Sequence, residues 1–158
     1  MADIRDKDVF ASLYRDYLKD LAPYNRVIKT LTEDQISGQI DEYFCNKDYD
    51  IRSVMNNSGE IIGFCIIGMH EKAHPLATYH IAEMYVKREF RRKGYGFDTA
   101  IEFIRNNHGI YTFDVLEDNI IAHLFWKQVF KSAGGEMIAP LPEIRDNLPP
   151  GKSYAYVA

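Results

Sequence analysis

Between Lys87 and Gly96 the chain reads Lys-Arg-Glu-Phe-Arg-Arg-Lys-Gly-Tyr-Gly, and its capacity to hold an anion is concentrated there. The seven residues Lys87 to Lys93 carry five of the 19 lysines and arginines and one acid. That is a local net of +4, which leaves the rest of the chain at −8 against an overall −4. Gly94-Tyr95-Gly96 follows directly. Glycines let successive backbone N–H groups converge, and a helix N-terminus adds roughly half a positive charge. A strand, a basic turn, Gly-x-Gly and a helix, in that order, make a site for one phosphate or pyrophosphate. The alternative for the same residues is a solvated basic loop whose glycines serve only the turn. A phosphate-binding P-loop would need G-x-x-x-x-G-K-[ST], which is absent. A dinucleotide fingerprint would need a third glycine where Thr99 stands. Neither ATP nor NAD is favoured.

A second constellation competes. His70-Glu71-Lys72-Ala73-His74 matches the zinc-hydrolase signature H-E-x-x-H, and His80 could supply a third ligand. That motif works on a helix, where positions i and i+4 share a face. Here it follows a β-type run, and Pro75 disfavours helical geometry at His74, so a chance match in a strand-to-strand loop is expected. No G-x-S-x-G elbow exists, and neither Cys45 nor Cys65 lies in a nucleophile motif. His108 and His123 are expected at the surface.

The elements that must position these residues can be read from periodicity. Phe10, Leu13, Tyr14, Tyr17, Leu18 and Leu21 have helical spacing, and Pro23 stops that helix. Thr32 and Gln35 form a capping box for a second helix, with Ile36, Ile40 and Phe44 on its buried stripe. A strand over Asp50 to Met55, a turn at Asn56-Asn57-Ser58-Gly59 and a strand over Ile61 to Gly68 read as a hairpin. The second of these strands is apolar almost throughout, so it belongs at the centre, covered on both faces. A further strand is expected from Thr78 to about Lys87. A third helix, over Phe97, Ala100, Ile101 and Ile104, is expected to stop at Gly109. Ile110 to Val115 is a strand, and Asp118 or Asn119 caps a fourth helix carrying Ile121, Leu124, Phe125 and Phe130. Two short strands, Glu136 to Ala139 and Ser153 to Val157, close the chain. The expected architecture is an α/β (α+β) sandwich with a buried central sheet.

The segment Ile81-Ala-Glu-Met-Tyr-Val-Lys-Arg-Glu-Phe-Arg-Arg-Lys-Gly-Tyr-Gly96 closely resembles the acetyl-CoA-binding motif of the GNAT N-acetyltransferase family. That motif is a strand ending in hydrophobic-x-Val, followed by [RQ]-x-x-G-x-[GA] opening a helix. Arg91, Gly94 and Gly96 stand at its fixed positions. Asn119-x-x-Ala122-x-x-Phe125-Trp126 resembles the family's second signature, N-x-x-A-x-x-[LF]-Y. The resemblance implies a mixed, splayed central sheet with helices on both faces, spanning about residues 8 to 158. It implies acetyl-CoA as cosubstrate and no metal. By resemblance the N–H groups of Arg92, Lys93, Gly94, Tyr95, Gly96 and Phe97 hold the pyrophosphate. The backbone of Met84, Tyr85 and Val86, at a strand bulge, takes the pantetheine and thioester carbonyl, and Asn119 contacts the pantetheine arm. Trp126 stands where the family usually has the tyrosine that protonates the leaving thiolate, and an indole N–H cannot act as an acid near neutral pH. Phe130 stands where the family usually ends this helix with glycine.

An amine arrives mostly as ammonium and must lose a proton before it attacks, which calls for a positioned base. Glu83, Asp114 and His80 are the candidates. Glu83 adjoins Met84, and Asp114 precedes Val115 on the neighbouring strand. His80 is about 13 Å from Met84 along the strand, within reach only through water. Strand parity sets Glu83 with Tyr85 and apart from His80, Met84 and Val86 unless a bulge resets it.

The bulk properties agree with this class. With 158 residues, 46% hydrophobic and 27% charged, the chain suits one domain over residues 1–158 and excludes disorder and solenoids. Folding at this size buries roughly 68–70% of the unfolded surface. Net charge −4 argues against nucleic acid, and the longest apolar run, Ile61 to Met69, is far short of a membrane span. Two cysteines point to a reduced, cytoplasmic setting. The acceptor is expected to be a small primary amine held by Tyr14, Tyr17, Tyr24 and Asp34. A homodimer is left open. Two other readings stay in view: the zinc hydrolase, and a non-catalytic CoA-binding sensor.

Overall fold

The structure is a computed structural model that describes residues 3–68, 77–140 and 151–158. The described residues form four α-helices and six strands, in the order α1 (Lys7–Leu21), α2 (Glu33–Cys45), β1 (Tyr49–Met55), β2 (Ile61–Gly68), β3 (Tyr79–Val86), α3 (Tyr95–Asn106), β4 (Ile110–Leu116), α4 (Ile120–Ala133), β5 (Glu136–Pro140) and β6 (Gly151–Val157). The strands form one mixed sheet in the order β1-β2-β3-β4-β6-β5. All neighbours are antiparallel except β3 and β4, which run parallel because α3 crosses between them.

Helix ends follow local chemistry. Asp6 caps α1 by accepting from the Asp8 and Val9 amides, and the Thr32–Gln35 capping box opens α2 as its sequence requires. The α1 stripe Phe10, Leu13, Tyr14, Tyr17 and Leu18 packs with Ile40 of α2 onto Ile51, Phe64, Ile66 and Tyr85 of the sheet. The opposite face carries Cys65, Ile67, Ile81, Tyr111, Phe113, Val115 and Tyr156, covered by Ala100, Ile101 and Ile104 of α3 and Trp126, Val129 and Phe130 of α4. Alternate residues of β2 thus enter two different cores, which is why the strand is apolar at both parities.

Two local expectations are corrected. Gly109 does not stop α3, which ends at Asn106; a Cβ at Gly109 would lie 2.7 Å from Thr78 Oγ1, so the glycine permits a close crossing of chains. On α4, Ile121 and Leu124 are exposed, and the helix rests on Trp126, Val129 and Phe130 instead.

Candidate active site

Strands β3 and β4 pair only at Tyr79↔Tyr111, His80↔Thr112 and Ile81↔Phe113, and beyond these three pairs they diverge. Met84 to Val86 remain paired to β2 on their outer side, and Asp114 to Leu116 to β6 on theirs. The sheet is therefore split at its middle into a V whose inner edges offer strand backbone. This is the expected splay.

The bulge on β3 is not at Met84–Val86. Glu83 pairs with Ile66 and Ile81 with Ile67, so Ala82 is the extra residue. Its position resets the parity of the strand. Ile81 and Met84 face the α3/α4 core, whereas Ala82 and Tyr85 pack with α1 and α2. His80 and Glu83, which uninterrupted alternation would separate, come to the same face. Thr112 and Asp114 of β4 point there too, since Tyr111, Phe113 and Val115 fill the opposite side. The three candidate bases therefore share one side of the sheet, around the mouth of the V.

Their environments differ. Glu83 accepts hydrogen bonds from the Tyr17 hydroxyl on α1 and, at 3.5 Å, from the Tyr43 hydroxyl on α2. Burial pushes its carboxyl up to about 7; the two tyrosine hydroxyls oppose this and the charge of Asp114 adds to it. Tyr17 is itself pushed well above its usual range, by burial first and then by the Glu83 charge, so it stays a donor. His80 Nδ1 lies 3.1 Å from Thr112 Oγ1, and burial lowers its pKa against the opposing pull of Asp114 and Thr112. Asp114 is exposed and accepts from the Ser153 hydroxyl. Of the three, Glu83 is the carboxyl that exchanges its proton near neutral pH, hung from two phenols.

At the top of the V the basic turn adopts two left-handed residues, Arg92 with φ 62° and Gly94 with φ 90°. Gly94 is the N-cap of α3, and the first bond of the helix runs from the Asp98 N–H to the Gly94 carbonyl at 2.9 Å. The Tyr95, Gly96 and Phe97 amides precede that bond and have no partner in the helix. Alternating backbone hands of this kind form an anion-binding concavity. Gly96 lets the helix approach β3: a Cβ there would stand 3.1 Å from Val86 Cγ2 and 3.5 Å from Met84 Cε.

The cations of the turn divide by role. Arg91 Nε donates to the Val86 carbonyl at 2.7 Å, its guanidinium pairs with Asp20 of α1, and it lies 5.4 Å from the Tyr85 ring centroid. Arg88 reaches the same Asp20 at 2.9 Å. Arg91 thus anchors the turn to α1, while Arg92 and Lys93 are exposed. Lys93 Nζ sits 5.4 Å from the Phe90 centroid.

Asn119 caps α4, its side-chain oxygen accepting from the Ala122 amide at 3.2 Å, so that bond does not use its amide N–H groups. Trp126 is 7% exposed, packs among Phe113, Phe125 and Phe130, and lines a small apolar cavity with Met84 and Ile81. Of the expected acceptor contacts, Tyr14 is buried and donates to Gln39, Tyr17 serves Glu83, and Tyr24 and Asp34 are exposed away from this network. The His70–His74 segment lies outside the described residues. Among the described residues no cluster of three or more His, Cys, Asp or Glu has metal-binding geometry.

Two features escape sequence reading. Tyr43 follows Ile40 by one helical step and so shares the buried side of α2, the one signal that pointed inward. His123 is half-buried and engaged on both ring nitrogens: its Nδ1 is 2.8 Å from the Tyr154 hydroxyl and its Nε2 3.1 Å from the Leu116 carbonyl.

The family model "Acetyltransferase (GNAT) family" matches residues 10–130. No curated protein sequence matches the chain. Among solved structures, an acetyltransferase from Thermus thermophilus superposes with a TM-score of 0.66 at 12% identity, over 98% of this chain and 93% of that one. An N-acetyltransferase from Staphylococcus aureus gives 0.61 at 14% identity over 97% and 95%. An aminoglycoside 6′-N-acetyltransferase complexed with coenzyme A gives 0.61 at 12% identity over 99% and 94%. At these identities the likeness is one of fold.

Proposed function

Since the chain belongs to the acetyltransferase (GNAT) family, we propose that it moves the acetyl group of acetyl-CoA onto a small primary amine by direct attack in a ternary complex. The single observation that carries this is Glu83, a carboxyl pushed up to about 7 beside the mouth of the V and held by phenols from two helices.

The residues present suit the cosubstrate. The amides from Arg92 to Phe97, with φ 62° at Arg92 and φ 90° at Gly94, form the cradle for a pyrophosphate. Arg92 and Lys93 add exposed positive charge to it. The inner edge of β3 from Met84 to Val86 and the Asn119 amide line the path of the pantetheine. Acetyl-CoA supplies an activated acetyl group when bound.

Glu83 takes the proton from the ammonium of the acceptor, from the α1/α2 side of the sheet. Backbone N–H groups at the β3 edge hold the thioester carbonyl and stabilise the negative charge that builds on its oxygen. Asp114 keeps the mouth of the V electronegative, and His80 stands behind it on Thr112. The α1/α2 side offers phenols and carboxylates and the chain outside the turn is at −8, so a cationic small amine is the acceptor class. The two cysteines are free, in keeping with a cytoplasmic setting.

Calorimetry with acetyl-CoA and free-thiol release over a panel of amines test this together. Saturable cofactor binding with turnover of small amines is the expected result. Turnover of peptide N-termini alone would replace the acceptor class, tight CoA binding with no turnover would favour a sensor, and no binding at millimolar cofactor would end the reading.

A further inference from the structure

Ile81 is the last residue of β3 that pairs with β4, and Met84 lies beyond it, where the strand is not paired on its β4 side. Both side chains face the α3/α4 core. There they border a cavity of about 10 Å³ whose other walls include Cys65 of β2, Ala100 and Ile104 of α3 and Trp126 of α4. The void sits directly behind the vertex of the V.

No nitrogen or oxygen atom of the described residues faces this cavity. Burial pushes the Cys65 thiol up to about 12, so that wall carries no charge either. A buried water needs roughly two to four polar partners, and a cavity walled by carbon and sulfur stays dry. Its volume matches about one water-sized group, the size of one methyl or methylene. Trp126 sets the character of its wall. A tyrosine at this position would bring a hydroxyl, whereas the indole packs against Phe113 and Phe130 as apolar surface. Met84 is the adaptable wall: it is unbranched and reaches across to the first turn of α3, where a Cβ on Gly96 would stand 3.5 Å from its Cε.

We propose that this cavity seats the end of an acyl chain one carbon longer than acetyl, so that propionyl-CoA is taken in preference to acetyl-CoA. The proposal rests on the acetyl-transfer reading above, in which the β3 edge from Met84 to Val86 holds the thioester carbonyl. With the carbonyl at that edge, the chain beyond it turns past the Met84 side chain into the void. The added methylene gains buried apolar contact, displaces no water and leaves no hydrogen bond unmade. A further methylene would press on Ile104 and Trp126, since the space is already filled. The transfer itself balances as it does for acetyl. The amine nitrogen forms the C–N bond after giving one proton to Glu83, the C–S electron pair passes to sulfur, and the nitrogen's second proton follows it there.

Calorimetry without an acceptor reads the preference directly, because the thioesters stay intact and the CoA portion is common to all of them. Propionyl-CoA is expected to bind about fourfold more tightly than acetyl-CoA, the effect of burying one methylene. Butyryl-CoA is expected to bind more weakly than either. Values of kcat/KM from free-thiol release, with any amine that turns over, should keep the same order. Ala100→Val fills the cavity from α3 and should drop propionyl-CoA below acetyl-CoA. Cys65→Ala widens it from β2 and should raise butyryl-CoA at least to the level of acetyl-CoA. The two variants push in opposite directions, so if one fails to fold the other still decides. Propionyl-CoA that binds wild type no more tightly than acetyl-CoA overturns the proposal, as does a ranking of donors that neither variant alters. Failure of wild type to bind any of the three thioesters or free CoA would instead remove the acetyl-transfer reading.

Discussion

Tyr17 donates its phenolic hydrogen to the Glu83 carboxylate across 66 residues of sequence, joining the middle of α1 to the strand that borders the V. The bond sets both the orientation and the acidity of the carboxyl. It opposes the effect of burial, holding Glu83 near neutrality where it would otherwise be pushed higher.

Glu83→Gln should lower kcat by about 10²- to 10⁴-fold while acetyl-CoA binding is retained, since a general base is worth that range. The base acts only when ionised. The wild-type pH–rate profile should therefore rise through a limb centred near 7, and that limb should vanish in the variant. Steady-state kinetics from pH 5 to pH 9 would check both, those limits being roughly two pH units either side of the expected value.

The same group makes stability depend on pH. Between its ordinary 4.5 and about 7 the folded protein binds more protons at Glu83 than the unfolded chain does. Stability from this group is present in full below that window and is lost as pH rises through it. Thermal melts should show wild type losing ground to Glu83→Gln as the pH climbs from 4.5 to about 7.

Removing either phenolic hydroxyl leaves the carboxylate with less support. Tyr17→Phe and Tyr43→Phe should each shift the rising limb to higher pH, Tyr17→Phe further because its bond is the closer of the two. A limb displaced to lower pH in either variant would contradict the role of these hydrogen bonds.

Gly94 has φ 90°, and a Cβ there meets only the Asp98 carboxylate, at 3.3 Å. The penalty of Gly94→Val is thus backbone strain of order 1–3 kcal/mol together with a blocked approach to the amide cradle. Acetyl-CoA affinity by calorimetry should fall at least tenfold, equivalent to about 1.4 kcal/mol. Gly96→Val should instead reduce thermal stability, because its Cβ presses on Val86 and Met84 at the helix–strand contact.

Asp20 occupies Arg88 and Arg91 together, and its pKa lies below the usual carboxylate value: burial raises it, but the hydrogen bonds from Arg91 and Arg88 outweigh that. An anion seated on the turn competes with this carboxylate. Asp20→Asn should tighten CoA binding and steepen its dependence on salt, measured as Kd between low and moderate ionic strength. Weaker binding would show that Asp20 holds the turn in shape rather than masking its charge.

What the residues alone determined was whatever depends on neighbours in the chain. The capping box at Thr32, the turn at Asn56 to Gly59, the two-faced burial of β2 and the basic Gly-x-Gly turn are local in origin. Spacing and backbone chemistry suffice to read them. The splay between β3 and β4 was legible only through the resemblance of two motifs. Three things waited for the tertiary structure. The bulge at Ala82 brought His80 and Glu83 to one face, because parity along a strand is decided by a single extra residue in its pairing with β2. The acidity of Glu83 depends on burial and on Tyr17 and Tyr43, which lie on two other elements. His123 and Tyr154 met because β6 returns beside β4 under α4, and no periodicity in either segment records that meeting.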